Sequence, residues 1–216
     1  MSRSLFTISI SIFLLVACGK QEQNKIPYFN DPDFTPLFLN DEEAAKMVTH
    51  TIPPFSFTDQ NGKTITQQDV KNKIYVADFF FTRCRGICTD MMANMQKVAI
   101  AFSGDTSVVI LSHTVTPELD SVAVLKQYAT AKHITNTNWH LLTGNKNEIY
   151  SIARKGYFAD ERLGFSKDTT AFLHTENFIL VDRQGRIRGI YNGTLALEVE
   201  NLIRHIKELE KETAEE

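Results

Sequence analysis

Residues Ile74–Phe102 read Ile-Tyr-Val-Ala-Asp-Phe-Phe-Phe-Thr-Arg-Cys-Arg-Gly-Ile-Cys-Thr-Asp-Met-Met-Ala-Asn-Met-Gln-Lys-Val-Ala-Ile-Ala-Phe. The first eight are nearly all apolar, aromatic or β-branched, the pattern of a buried central strand. From Met91 the apolar side chains recur at Met91, Met95, Val98 and Phe102, one face of a helix. Cys84 and Cys88 lie between the two. A strand that leads into a cysteine pair at the mouth of a helix is the layout of a thiol site or a soft-metal site.

A helix starting near Cys84 turns its free N–H groups and dipole toward that sulfur and favours the thiolate. Arg83 and Arg85 add positive charge on both sides, which pushes the thiol pKa down further. Cys88 is four residues on, so both sulfurs are expected on one helix face, with Cys88 the more buried because it continues the apolar stripe. The plain alternative is a pair of core cysteines, but those seldom sit between two arginines at a helix start. Asp78 is out of place in so apolar a strand. It falls on the Ile74, Val76 and Phe80 face, where burial raises its pKa. It either relays protons to a thiol or is held by a structural partner.

Outward from this stretch, the chain begins with one basic residue, Arg3, and a short apolar run, Leu5 to Val16. Leu15-Val16-Ala17-Cys18 follows, then a polar segment. A basic start, a short apolar core and small residues before a cleavage point mark residues 1–17 as a secretory signal, too short to span a bilayer. The ending resembles a bacterial lipobox, which implies cleavage before Cys18 and a lipid on it. With Cys18 so assigned, Cys84 and Cys88 remain as a pair in an oxidising compartment. They form a disulfide, a reducible dithiol or a metal clamp.

Residues 18–50 carry Pro27, Pro32 and Pro36 and read as a polar tether with an irregular lead-in. Tyr28, Phe29, Phe34, Leu37 and Phe38 are expected to pack on the domain as a short hairpin. The domain itself is placed at 51–210. Asn61-Gly62 between two short β-like runs predicts a hairpin. Gln67 to Lys71 reads as a helical turn. After the central unit come a strand at 107–112, a helix at 119–132 with Pro117 near its start, a strand at 138–142 and a helix at 145–155. A polar loop at 159–171, a strand at 178–181, its hairpin partner at 186–191 and a helix at 195–209 complete it. The tail from Lys207, and 211–216 above all, is expected to fray. Strands alternating with helices define an α/β three-layer fold. A net charge of −3 leaves nothing basic enough to suggest nucleic acid.

The order of elements resembles the thioredoxin superfamily: a three-layer α/β/α domain, here with an N-terminal β-hairpin extension. Thioredoxins carry Cys-x-x-Cys, whereas this chain has Cys-x-x-x-Cys. That spacing, Phe80-Phe81-Thr82-Arg83-Cys84, Val115-Thr116-Pro117-Glu118-Leu119-Asp120-Ser121, Trp139-His140-Leu141-Leu142-Thr143-Gly144 and His174 in Phe172-Leu173-His174-Thr175-Glu176-Asn177 resemble the Sco/SenC family over Ile52 to Leu209. The resemblance implies copper bound by Cys84, Cys88 and His174, and a chaperone role in assembling the binuclear copper site of cytochrome c oxidase. The implied partners are the copper subunit of that oxidase or another copper-protein client and, through a lipid on Cys18, a bacterial membrane, with the domain facing the periplasm. Two thiolates and an imidazole independently suit copper, Cu(I) especially and Cu(II) in principle. Arg83, Arg85 and the helix terminus offset the net charge of a dithiolate–Cu(I) centre. The histidines at 50, 113, 133, 140 and 205 read as surface or packing residues.

Three departures stand out. Thr89 replaces the usual Pro after the second Cys, and Thr116 replaces an Asp linked to redox behaviour in relatives. No Pro follows Pro117, which speaks against ordinary dithiol exchange. A thiol–disulfide reductase acting on a copper-protein client, or a copper or redox sensor, are the competing readings.

Overall fold

The computed structural model describes residues 25–84, 86–159 and 175–212. Its elements are α1 (Asp41–Met47), β1 (Ser56–Asp59), β2 (Thr64–Thr66), β3 (Ile74–Phe80), α2 (Ile87–Ala101), β4 (Val108–Thr114), α3 (Val122–Ala131), β5 (Trp139–Thr143), α4 (Lys146–Ser151), β6 (Asn177–Val181), β7 (Ile187–Asn192) and α5 (Ala196–Glu212). A π-helical turn, Ile152–Gly156, continues α4.

The seven strands form one sheet in the order β2-β1-β5-β4-β3-β6-β7. β3, β4 and β5 run parallel, with Ile74 opposite Val108 and Phe80 opposite Thr114. β6 and β7 close one edge antiparallel, and the β1–β2 hairpin closes the other. β3 is buried at every position because both faces are covered. On one face Val76, Phe80, Ile110 and Leu141 pack under Met91, Met95 and Val98 of α2, Leu125 of α3 and Leu202 and Ile206 of α5. On the other face Tyr75, Ala77, Phe79 and Leu111 meet Phe55, Phe57, Ile149 and Tyr157. This is the three-layer α/β/α arrangement expected from the strand–helix alternation.

The Asn61-Gly62 hairpin forms as expected. Gly62 takes φ +78°, and the Asp59 carboxylate accepts the Asn61 and Lys63 N–H groups at 2.8 and 2.9 Å. Tyr28 and Leu37 pair in one antiparallel bridge, so the lead-in does fold back on itself, with Tyr28 and Phe29 buried. Phe38 is a correction, since it is 65 % exposed.

Other boundaries differ for physical reasons. α1 occupies part of the lead-in expected to be irregular. A full capping box holds it: Asn40 Oδ1 accepts the Glu43 N–H, and Glu43 Oε2 accepts the Asn40 N–H, both at 2.9 Å. Residues 67–71 form turns, not a helix. α3 starts at Val122 under a Ser121 cap, three residues later than expected, because Thr116–Asp120 folds into a turn of its own. α5 runs past Lys207 to Glu212, where fraying was expected. Arg188, only 3 % exposed, reaches from β7 to hold the Glu212 carboxylate at 2.9 and 3.1 Å.

Candidate metal and thiol site

Cys84 and Cys88 sit beyond the C-terminal end of β3, where parallel strands of an α/β sheet leave a crevice for ligands. Both are free thiols. The expected helix start is corrected here. α2 begins at Ile87 behind Gly86, so Cys84 lies in the loop ahead of the helix and Cys88 in its first turn. The two sulfurs therefore do not share a helix face by the i, i+4 rule.

They meet by other means. The Cys84 N–H donates to the Phe81 carbonyl at 3.3 Å, curling the loop back. Burial alone raises the Cys84 thiol pKa. Hydrogen bonds to its sulfur from the Cys88 thiol and from the Gly86 and Cys88 N–H groups outweigh that and bring it below the ordinary value. These donors belong to the opening of α2, so the helix mouth does act on Cys84, though from ahead of the helix. Among the described residues the lowering comes from hydrogen bonds and not from Arg83. That side chain is exposed, and its charge is spent on solvent. Arg85 lies outside the described residues.

Cys88 is the buried sulfur, as the apolar stripe implied, at 8 % exposure. Burial pushes its thiol up to about 12, aided by its hydrogen bond to Cys84 and the charges of Cys84 and Asp78. The pair is thus split into one thiol that ionises more easily than an ordinary cysteine and one that does so less easily.

Asp78 lies beneath them. It is fully buried, and burial raises its carboxyl to about 7 against the pull of one hydrogen bond from Ser112 Oγ at 2.5 Å. Ser112 in turn accepts the Trp139 indole N–H at 2.9 Å. The acid thus has a structural partner and is also close enough to act on Cys88. Tyr128 of α3 is raised by burial and by the charges of Cys88, Asp78, Cys84 and Asp120.

Asp120 belongs to the Val115–Ser121 stretch ahead of α3. It is fully buried and fastens the cysteine loop to the start of α3. A lone acid one residue before a helix cap gives little signal in a sequence, because only the folded chain shows its donors.

Of the histidines other than His174, His133 is exposed and the rest are packing or structural groups. His140 Nδ1 meets the Asp59 carboxylate at 2.9 Å, His50 Nε2 the Gly156 carbonyl at 2.8 Å, and His205 Nδ1 the Tyr191 hydroxyl at 2.6 Å. His113 is fully buried among Phe55, Phe57, Phe79 and Tyr157, with neither ring nitrogen hydrogen-bonded among the described residues. His174 and Cys18 lie outside the described residues. Among the described residues no third His, Cys, Asp or Glu joins the two sulfurs to make a metal cluster.

A family model described as SCO1/SenC matches residues 43–211. The SCO1 protein homolog of Bacillus subtilis (strain 168) is 28 % identical over 203 residues, covering 93 % of each chain. The crystal structure of a SCO1/SenC family lipoprotein from Bacillus anthracis str. Ames superposes with a TM-score of 0.64 at 30 % identity, over 75 % of this chain and 96 % of that one. BsSco, a member of the Sco family of cytochrome c oxidase assembly proteins in which a disulfide switch has been identified, gives 0.63 at 30 % identity over 74 % and 93 %. Bradyrhizobium japonicum ScoI, solved with copper bound, gives 0.56 at 27 % identity over 71 % and 98 %.

Proposed function

Since the chain belongs to the SCO1/SenC family, we propose that it is an extracytoplasmic, membrane-tethered copper-binding protein that serves assembly of the binuclear copper site of cytochrome c oxidase. Cys84, Cys88 and His174 are the proposed ligands, and a lipid on Cys18 the proposed tether. The observation that carries this reading is the split pair at the C-terminal end of β3, one acidic accessible thiol beside one buried protonated thiol. Copper is the cargo, and soft thiolates suit Cu(I) best. Cys84 offers the first sulfur without losing a proton at high cost. Cys88 gives up its proton only when a strong acceptor for the thiolate arrives, so loading releases protons. Asp78 is buried near Cys88, and its charge acts on that sulfur. Solved relatives that hold copper support the cargo.

A second reading is favoured by the same split. An acidic outer thiol beside a protonated inner one is the arrangement of a dithiol reductant, and a disulfide switch is described for BsSco. On that reading the protein reduces the copper-binding cysteines of its client. Complementation separates the two. In cells lacking the gene, Cys84→Ser and Cys88→Ser abolish oxidase copper-site assembly on either reading. His174→Ala abolishes it only if copper delivery is the task. Assembly that persists in both cysteine variants contradicts both readings.

A further inference from the structure

We infer that Asp120 is a positioning residue for the dithiol, acting through Thr82 to hold the loop that carries Cys84. This deepens the site proposed above and rests on that site being a working thiol pair.

The Asp120 side chain is 0 % exposed. Its two oxygens accept four hydrogen bonds: from the Thr82 N–H at 3.2 Å, Thr82 Oγ1 at 2.5 Å, Thr114 Oγ1 at 2.5 Å and Thr116 Oγ1 at 3.0 Å. Four converging donors are the complement of a carboxylate, which has acceptor sites only. Thr114 ends β4, and Thr116 opens the turn before α3. Thr82 lies two residues before Cys84 and belongs to neither element. Among the described residues, both of its hydrogen bonds end on Asp120.

The consequence follows along the chain. β3 ends at Phe80, whose carbonyl accepts the Val115 N–H at 2.9 Å. Among the described residues from there to Gly86, no helix or strand confines the backbone. Asp120 is the strut that reaches this span from the α3 side, at its middle. A backbone hydrogen bond from Phe81 to the Cys88 sulfur and the Cys84 N–H bond to Phe81 then set one sulfur against the other. Slackening the strut lets Cys84 wander from Cys88 and lowers the effective concentration of one thiol at the other. A carboxyl that served the core alone would bear on global stability and leave that quantity unchanged.

The test is the equilibrium of the metal-free protein with glutathione. Oxidation forms the Cys84–Cys88 disulfide, breaks the disulfide of oxidised glutathione, and passes the two thiol protons to two molecules of reduced glutathione. Thr82→Val removes one donor from Asp120 on the cysteine side, and Thr116→Val removes one on the far side. Each removes one hydroxyl donor to the same carboxylate. T82V is expected to lower the equilibrium constant at least fivefold, Asp120→Asn at least as far, and Thr82→Ser to restore it to within twofold. T116V is expected to stay within twofold. Thermal melting of each variant shows that it is folded. A folded T82V with the wild-type constant overturns the inference, as does a T116V that falls equally far. Because no metal is present, failure of the copper reading leaves this result standing, and the reverse also holds.

Discussion

Cys84 and Cys88 are chemically unlike because α2 begins between them. The outer sulfur collects N–H donors and a thiol donor, and the inner one is buried over Asp78. Iodoacetamide at pH 8 is therefore expected to modify Cys84 at least tenfold faster than Cys88, read by peptide mass mapping. Faster labelling of Cys88 contradicts the assignment. Asp78 titrates against the fold. Its carboxyl is raised to about 7 from the ordinary 3.8, so the native state binds the proton more tightly than the unfolded chain. That contribution is complete below about pH 4 and is lost as pH rises toward and through 7. Asp78→Asn keeps an acceptor for Ser112 and carries no charge. It is expected to be more stable than the parent by about 2–4 kcal/mol at pH 8, with the gap closing toward pH 4, by urea titration. A pH-independent gap rules this out.

His113 shows the opposite sign. Burial depresses it to about 3, so the native state loses stability as pH falls below the ordinary value of 6.5. His113→Phe fits the aromatic surround and removes two unpartnered buried nitrogens. A gain of about 1–3 kcal/mol, larger at pH 5 than at pH 8, is expected in the same assay.

At the scale of elements, Arg188 joins three parts of the chain. It donates to the Ile26 and Pro27 carbonyls at 2.9 and 3.2 Å, pairs with Glu212, and lies 3.9 Å over the Tyr28 ring. Arg188→Met strands those carbonyls and is expected to cost about 3 kcal/mol. Hydrogen exchange should rise at residues 26–29 and 207–212 together. A rise at one segment alone contradicts the joint clamp. This contact also shows why the helix end was not legible. Lys207 to Glu212 looks like a solvated charged run until β7 brings Arg188 to it. What was legible is local. The apolar run of β3, the spacing of Met91, Met95 and Val98, and the Asn61-Gly62 turn carry their own geometry. The capping box of α1 is equally local, set among prolines and aromatics that read as irregular chain. Ahead of the late starts of α2 and α3, Thr82 and Thr116 both donate to the Asp120 carboxylate. The cysteine pair was legible for the same local reason as β3. Asp120 was not, for it acts only through the fold.

Over the whole molecule, the described N-terminus and the thiols lie at opposite ends of the sheet. Phe29 bonds the Ile187 carbonyl, Ile187 faces Val181, and Val181 faces Tyr75 near the start of β3, whereas the cysteines follow its end. If a lipid on Cys18 holds the chain as proposed, the thiols lie at the end of the sheet away from the described N-terminus. Cys84 in membrane-bound protein is then expected to react with a large maleimide–polyethylene glycol as fast as in a lipid-free Cys18→Ser form. Strong protection by the membrane contradicts this orientation.

The central claim is that Cys84, Cys88 and His174 hold copper. It is tested most directly by titrating reduced protein with Cu(I) against a competing chelator, and by X-ray absorption of the loaded form, for the parent and His174→Ala. The account predicts one copper per chain with two sulfurs and one nitrogen. In the His174 variant it predicts loss of the nitrogen and a fall in affinity well beyond tenfold, more than about 1.4 kcal/mol, while the disulfide still forms on oxidation. Unchanged affinity and an unchanged nitrogen contribution in His174→Ala would contradict it.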